Sequence, residues 1–176
     1  LDRVTSPDGS WTEYGYDDAQ RLVSELDSRG NRRLYTLNAD GKRIQEDVRD
    51  PSDALAQTTH RVMDVLGRVK KEYGTNPAEA AEYGYDASGN QRSALAPMHA
   101  NATESDYDAL NRLATTRDPA GGLARYRYDA DDNPREVIDA RGLSTRYAYD
   151  GHGDLRTLTS PDSGATQYAY DAAGNI

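Results

Sequence analysis

The sequence predicts an all-β protein, an antiparallel meander of β-hairpins repeating about every 21 residues. Three observations predict it: Tyr-Asp recurs in phase along the chain, a residue able to adopt positive φ follows at fixed distance, and a second turn composition separates successive copies. Such internal periodicity is the signature of a repeat architecture. Tyr-Asp occurs at Tyr16-Asp17, Tyr85-Asp86, Tyr107-Asp108, Tyr128-Asp129, Tyr149-Asp150 and Tyr170-Asp171, and the degenerate copies Leu37-Asn38 and Met63-Asp64 fill the gap. The eight starts are spaced by 21, 26, 22, 22, 21, 21 and 21 residues, a run that chance does not produce.

Each element follows from the columns of this repeat. Two residues before each start stands Tyr14, Tyr35, Arg61, Tyr83, Ser105, Tyr126, Tyr147 or Tyr168, so 12 of the 13 tyrosines fall in two columns and only Tyr73 lies outside. A Tyr-x-Tyr spacing places both rings on one face of a strand. Four residues after each start comes Gln20, Gly41, Gly67, Gly89, Asn111, Asp132, Gly153 or Gly174. Gly, Asn and Asp tolerate positive φ, so these positions predict a left-handed residue closing an Asp-x-x-Gly turn, with the Asp side chain capping the turn amides. An aliphatic residue restarts the strand at Leu22, Val69, Leu113, Leu155 and Ile176; the register is expected to slip by one at Ile44, and Gln91 and Pro134 interrupt the column.

A second turn closes each unit, at Pro7-Asp8-Gly9, Arg29-Gly30-Asn31, Asp118-Pro119-Ala120-Gly121, Asp139-Ala140-Arg141-Gly142 and Pro161-Asp162-Ser163-Gly164. These are hairpin-loop compositions. Residues 45–61 and 74–82 depart from the pattern, and the Ala-rich runs 52–57 and 78–82 are expected to be loop insertions or a helical turn. The whole of 1–176 is thus one repeat array with eight turns, degenerate at 37–82. Leu1 and Ile176 fall in the same column, which suggests an excerpt of a longer array. About sixteen strands in one meander are expected to curl or spiral, because strand twist accumulates.

Composition sets the limits. Leu (14), Val (7), Ile (3) and Phe (0) leave little material for a core, a composition that by itself favours disorder. The ordered placement of tyrosine argues against that. With 30 acidic and 21 basic residues the net charge is −9, which disfavours nucleic acid as a partner. No apolar run is long enough for a membrane-spanning helix, so no membrane partner is expected within this segment. Cysteine is absent, which removes disulfides, thiolate catalysis and Cys-ligated zinc.

No catalytic, cofactor or metal residue is predicted. His60, His99 and His152 have no second His four residues on, and there is no Gly-x-Ser-x-Gly elbow. Asp129-x-Asp131-x-Asn133 begins like a calcium loop, but Pro134 stands where Gly is required and Ala140 where Glu is required. Asn101-Ala102-Thr103 matches a glycosylation sequon and reads as a chance match. Rows of Tyr and Asp suit sugar recognition chemically, but their repeat spacing favours structural ladders of rings between neighbouring hairpins, Tyr126 with Tyr147 and Tyr168, and Tyr128 with Tyr149 and Tyr170.

The motif Tyr-x-Tyr-Asp-x-x-Gly-Asn/Arg-Leu, best seen at Tyr83-Gly84-Tyr85-Asp86-Ala87-Ser88-Gly89-Asn90 and Tyr168-Ala169-Tyr170-Asp171-Ala172-Ala173-Gly174-Asn175-Ile176, resembles the YD repeat of Rhs (rearrangement hotspot) proteins. The same repeat occurs in toxin-complex subunits, wall-associated bacterial proteins and teneurins. The resemblance implies a single-layered β-shell that closes as a hollow cocoon around a toxin formed by the C-terminal part of the same polypeptide. It implies as partners that toxin domain, the neighbouring repeats of the parent shell and secretion-spike proteins, including those of type VI secretion, and a secreted or cell-surface bacterial location. Some family members cut their own chain at Asp-Pro-x-Gly-Leu. Asp118-Pro119-Ala120-Gly121-Gly122-Leu123 departs from that motif by an extra Gly and reads as a hairpin loop. The function expected is encapsulation without catalysis; the alternative is a carbohydrate-binding or cell-surface adhesion module.

Overall fold

The computed structural model describes residues 2–176, so Leu1 and the column assigned to it lie outside the described residues. Sixteen strands pair antiparallel in chain order within one sheet. The described residues contain no α-helix; a single 3₁₀ turn, Pro77–Glu79, is capped by the Asn76 side chain, which accepts from the Ala78 N–H.

The chain divides into two compact units, with the change within one strand: residues up to Tyr83 with Ala96–Met98, and Gly84–Leu95 with His99–Ile176. The first unit holds β1 (Arg3–Thr5), β2 (Trp11–Tyr16), β3 (Leu22–Asp27), β4 (Arg32–Leu37), β5 (Arg43–Arg49), β6 (Leu55–Met63), β7 (Val69–Tyr73) and the start of β8 (Ala81–Tyr85). The second holds the end of β8 and then β9 (Gln91–Leu95), β10 (Thr103–Tyr107), β11 (Leu113–Arg117), β12 (Leu123–Tyr128), β13 (Pro134–Ile138), β14 (Ser144–Tyr149), β15 (Leu155–Ser160) and β16 (Gly164–Gln167).

Two expectations about the departures from the repeat are corrected. Residues 45–61 are not an inserted loop. They lie in the longest hairpin of the chain, seven-residue β5 and nine-residue β6 around a turn at Asp50–Ala54, and the 26-residue spacing is accommodated by longer strands. The register does not slip at Ile44 either. Leu37 pairs with Arg43, as Tyr16 pairs with Leu22 and Tyr149 with Leu155, so Arg43 occupies the aliphatic column. It suits that place because its guanidinium lies over the Tyr35 ring, 3.4 Å from the centroid, and supplies the contact an aliphatic chain would make. Pro134 likewise pairs opposite Tyr128 at the start of β13, where a missing N–H is tolerated. The 74–82 departure does hold its helical turn, at Pro77–Glu79.

Burial explains how so few aliphatic residues suffice. The chain exposes 11,791 Å², whereas a compact chain of this mass would expose about 8,500 Å². Strands contact only their neighbours in sequence, so no second layer covers them. Among the described residues only Tyr35, Ala80, Thr58 and Glu136 are buried. The sheet is held by its main-chain ladder, its turns and half-covered side chains.

Candidate functional site

One turn, used many times, connects the strands of the sheet. In Asp17–Arg21 the Asp17 N–H donates to the Arg21 carbonyl (3.0 Å) and the Gln20 N–H returns to the Asp17 carbonyl (2.9 Å). The Asp17 carboxylate accepts from the Ala19 and Arg21 N–H groups (3.0 and 2.9 Å) and from Arg21 Nε (2.8 Å). This is a type I turn closed by a left-handed residue. The left-handed position is Gln20 (φ 62°), Gly41 (78°), Gly67 (72°), Gly89 (93°), Asn111 (60°), Asp132 (66°), Gly153 (84°) and Gly174 (81°), as the repeat column predicts. Hydrogen bonds from the side chains and amides of the turn hold the carboxyls of Asp17, Asp64, Asp86, Asp108, Asp129, Asp150 and Asp171 below the usual Asp range. The largest cause is a hydrogen bond from the fifth turn residue at Asp17, Asp64, Asp86, Asp108 and Asp171, and one from the His152 N–H at Asp150; at Asp129 partial desolvation is the largest influence, and the bonds from Asn133 and Asp131 outweigh it.

At the opposite ends of the hairpins, four connections use the same turn rather than a second kind. Asp27, Asp50, Asp118 and Asp139 each accept from the amides of the third and fifth turn residues, and Gly30, Asp53, Gly121 and Gly142 are left-handed. The signal was present as Asp-x-x-Gly at Asp27–Gly30, Asp118–Gly121 and Asp139–Gly142, about ten residues after the preceding turn, but Asp53 in place of Gly disguised a further copy.

Along the Tyr-Asp edge, the fifth residue of one turn reaches the left-handed residue of the next. Lys42 Nζ donates to the Gly67 carbonyl (2.7 Å), Asn90 Nδ2 to Asn111 Oδ1 (2.9 Å) and Arg112 Nη1 to Asp132 Oδ1 (2.6 Å). Arg112 also binds Asp108 through Nε and Nη2 and lies over the Tyr128 ring, 4.6 Å from its centroid. The tyrosine ladders are therefore corrected. Tyr126, Tyr147 and Tyr168 do not stack on one another, nor do Tyr128, Tyr149 and Tyr170; the ring stack found among the described residues is His60 on Tyr73, at 5.0 Å. Equivalent residues of successive hairpins are two strands, about 10 Å, apart, beyond the about 4.5–7 Å of an aromatic pair. The intervening strand fills the gap. Tyr126 faces Val137 and Tyr147 faces Leu158, while the hydroxyls of Tyr107, Tyr128 and Tyr170 donate to the carbonyls of Gln91, Leu113 and Leu155 (3.0, 2.9 and 3.1 Å).

Two polar clusters break the repeat. In the first unit Thr58 Oγ1 donates to Asp47 Oδ1 (2.5 Å), Gln45 Nε2 donates to both Asp47 oxygens (3.1 Å), and His60 Nε2 lies 3.4 Å from Thr58 Oγ1. The hydroxyl proton is committed to the carboxylate, so Thr58 is not presented to His60 as a nucleophile; the cluster braces the long hairpin. In the second unit Glu136 accepts from Arg127 Nη1 (2.8 Å), Arg146 Nε (3.0 Å) and Ser144 Oγ (2.6 Å). These bonds, Ser144 first and then Arg146, hold its carboxyl below the usual Glu range.

The other residues considered in the sequence fall in turns or at exposed positions. The Asp129 carboxylate is occupied by the Asp131 and Asn133 amides, and His152 is the third residue of a turn. Asn101 Nδ2 donates to the Pro119 carbonyl (3.1 Å). Asp118–Gly122 forms the hairpin turn expected of it, and the extra Gly122 is simply its fifth residue.

This geometry defines a repeat protein whose sheet grows by one turn-braced hairpin at a time. The RHS Repeat family matches residues 107–144, 128–165 and 149–176, so the C-terminal part of the chain consists of RHS (YD) repeats, and the same turn runs through the earlier hairpins. No curated protein matches it at the sequence level. Solved structures of TcdB2-TccC3 share its fold. TcdB2-TccC3-Cdc42 matches with a TM-score of 0.70 at 11% identity over 93% of this chain, and TcdB2-TccC3 with 0.65 at 15% identity over 99%. TcdB2-TccC3 without its hypervariable C-terminal region matches with 0.61 at 15% identity over 94%. This chain spans 12%, 12% and 11% of the respective chains.

Proposed function

We propose that this RHS-repeat segment is part of the wall of a secreted β-shell that encloses a toxin borne on the C-terminal side of the same polypeptide, and that it has no catalysis of its own. The observation that carries this reading is a sheet that extends strand by strand, burying almost nothing and keeping two accessible faces. A catalytic domain needs a concave, water-excluding site, whereas a wall needs area, and twist bends such a wall into an enclosure. Kinship with RHS repeats and a fold shared with TcdB2-TccC3, which is also known without its hypervariable C-terminal region, support the reading. Neighbouring repeats of the parent are the other partners proposed.

The test is limited proteolysis of the parent polypeptide. Its C-terminal region should resist protease until denaturant opens the shell, and then be digested rapidly. Digestion at the rate of the isolated C-terminal region would reject encapsulation. An adhesion module is the competing reading, and saturable glycan binding by this chain would favour it; the commitment of Tyr107, Tyr128 and Tyr170 hydroxyls to main-chain carbonyls argues against it.

A further inference from the structure

We propose that one face of β12–β15 is a docking site for an extended polypeptide segment bearing closely spaced carboxylates, with Arg127 and Arg146 as its paired anchors and Glu136 as their positioning residue. The inference goes beyond encapsulation and does not depend on it.

Charge is sorted in this molecule. Most of the acidic residues of the second unit sit in turns, at the ends of strands, whereas this face carries Arg125, Arg127 and Arg146 against a single acid, Glu136. The nearest acids on the same face are Glu104 and Asp106 on β10, and Asp106 already binds Arg92 and Thr115. A chain of net charge −9 thus presents a locally cationic surface.

The repeat supplies its own control. The pair Arg127 opposite Glu136 corresponds to Gly15 opposite Ser24, Asp106 opposite Thr115 and Ala148 opposite Thr157. Glu136 is the one carboxylate in a column that is otherwise Ser, Thr, Gln or Lys. Its side chain is only 10% exposed, while Arg127 and Arg146 remain 67% and 71% exposed. A covered carboxylate held between two uncovered guanidiniums does not act as a simple surface ion pair. Arg127 gives Glu136 one Nη1 bond and Arg146 gives it one Nε bond, so each guanidinium keeps N–H donors without a partner. Tying one side of each fork to Glu136 fixes its plane and lowers the entropy cost of binding a second carboxylate. Small neighbours make the room: Ala148, Thr157 and Thr159 line a groove of about 570 Å³ beside the arginines. The groove is open and crosses strands, a shape that receives an extended chain.

The experiment is titration of the chain with a fluorescein-labelled octaglutamate peptide, read by fluorescence polarisation at low salt. Saturable binding is expected, weakened about tenfold by Arg127→Ala or Arg146→Ala, the loss of one charge-assisted contact. Arg29→Ala, which removes equal charge from an exposed turn of the other unit, should leave binding unchanged. Glu136→Gln separates a built site from diffuse attraction. It removes a negative charge, so diffuse attraction predicts tighter binding, whereas loss of positioning predicts weaker binding. If circular dichroism shows Glu136→Gln misfolded, Arg127→Lys serves instead, since it keeps the charge and loses the fork; weaker binding supports the proposal and unchanged binding overturns it. Absence of saturable binding, equal loss with Arg29→Ala, or full competition by inorganic phosphate at peptide-like concentrations would each overturn it, the last by showing a small-anion site.

Discussion

Tyr35 is the one tyrosine that the sheet buries, at 7% exposure. Its ring is covered by Arg43 and its hydroxyl donates to Glu25 Oε1 (2.8 Å), and burial together with that carboxylate pushes its ionisation up from the ordinary phenol range. The repeat alone ranks Tyr35 with every other tyrosine of its column, because the covering residue, Arg43, looks like a defect in the aliphatic column. Tyr35→Ala should cost about 3 kcal/mol, the loss typical of a buried aromatic. Tyr147→Ala should cost about 1–2 kcal/mol, because Tyr147 is only half-buried and packs on Leu158 rather than on other rings. Urea unfolding of both variants checks the order; an equal loss would mean that ring burial does not set local stability. The left-handed positions offer the reverse test. Gln20 adopts φ 62° where five of its seven equivalents are Gly, so Gln20→Gly should stabilise by up to about 1 kcal/mol. Gly153→Ala, which meets no neighbour, should destabilise by about 1 kcal/mol through backbone strain alone.

At the scale of the element, the turn was the most legible feature of the sequence, because an Asp that caps amides and a Gly that reverses the chain are both fixed by local chemistry. What lay between turns was less legible. A strand can lengthen without changing its turn chemistry, so the β5–β6 hairpin looked like an insertion; and period-2 alternation does not say that equivalent residues are two strands apart, so the ring ladders were misplaced. The Glu136 cluster was hidden for a related reason, since Arg127, Glu136 and Arg146 meet only once the register is known. The turns carry a pH prediction. Turn carboxyls at both edges titrate below the ordinary Asp range in the fold, so their contribution is complete above the unfolded value of about 4 and is lost as pH falls through the folded values. Melting temperature should therefore fall steeply between about pH 4 and pH 2 while changing little between about pH 5 and pH 7. Asn38 shows that an amide oxygen can hold the same turn, accepting from the Asp40 and Lys42 N–H groups (3.1 and 2.9 Å). Asp108→Asn should accordingly keep the turn and flatten the acid slope. An unchanged slope would locate the acid sensitivity elsewhere. Arg112→Ala should lower the melting temperature more than Arg117→Ala, because Arg112 joins two successive turns whereas Arg117 reaches only the Gly121 carbonyl of its own.

For the whole molecule, contact between chain neighbours alone means that stability is a sum of hairpins and their nearest-neighbour interfaces, without a shared core. A perturbation should then decay within one or two strands instead of being felt everywhere. Tyr35 sits on β4 and touches β3 and β5 through Glu25 and Arg43. In Tyr35→Ala, hydrogen exchange measured by mass spectrometry should accelerate in β3–β5 and in the adjoining part of β6, where Glu46 pairs with Thr59 and binds Arg33. Amides of β13–β15 should exchange at the wild-type rate, because each of those strands contacts only its own neighbours in sequence. A compact two-state domain would behave differently: exchange through global unfolding would accelerate in both regions by the same factor. Uniform acceleration would thus reject the nearest-neighbour description, and with it the account of how a chain with so few aliphatic residues folds. Acceleration confined to the neighbouring strands would establish that each hairpin is held by its turns and its two flanking strands, the property that lets a sheet of this kind be lengthened by adding repeats.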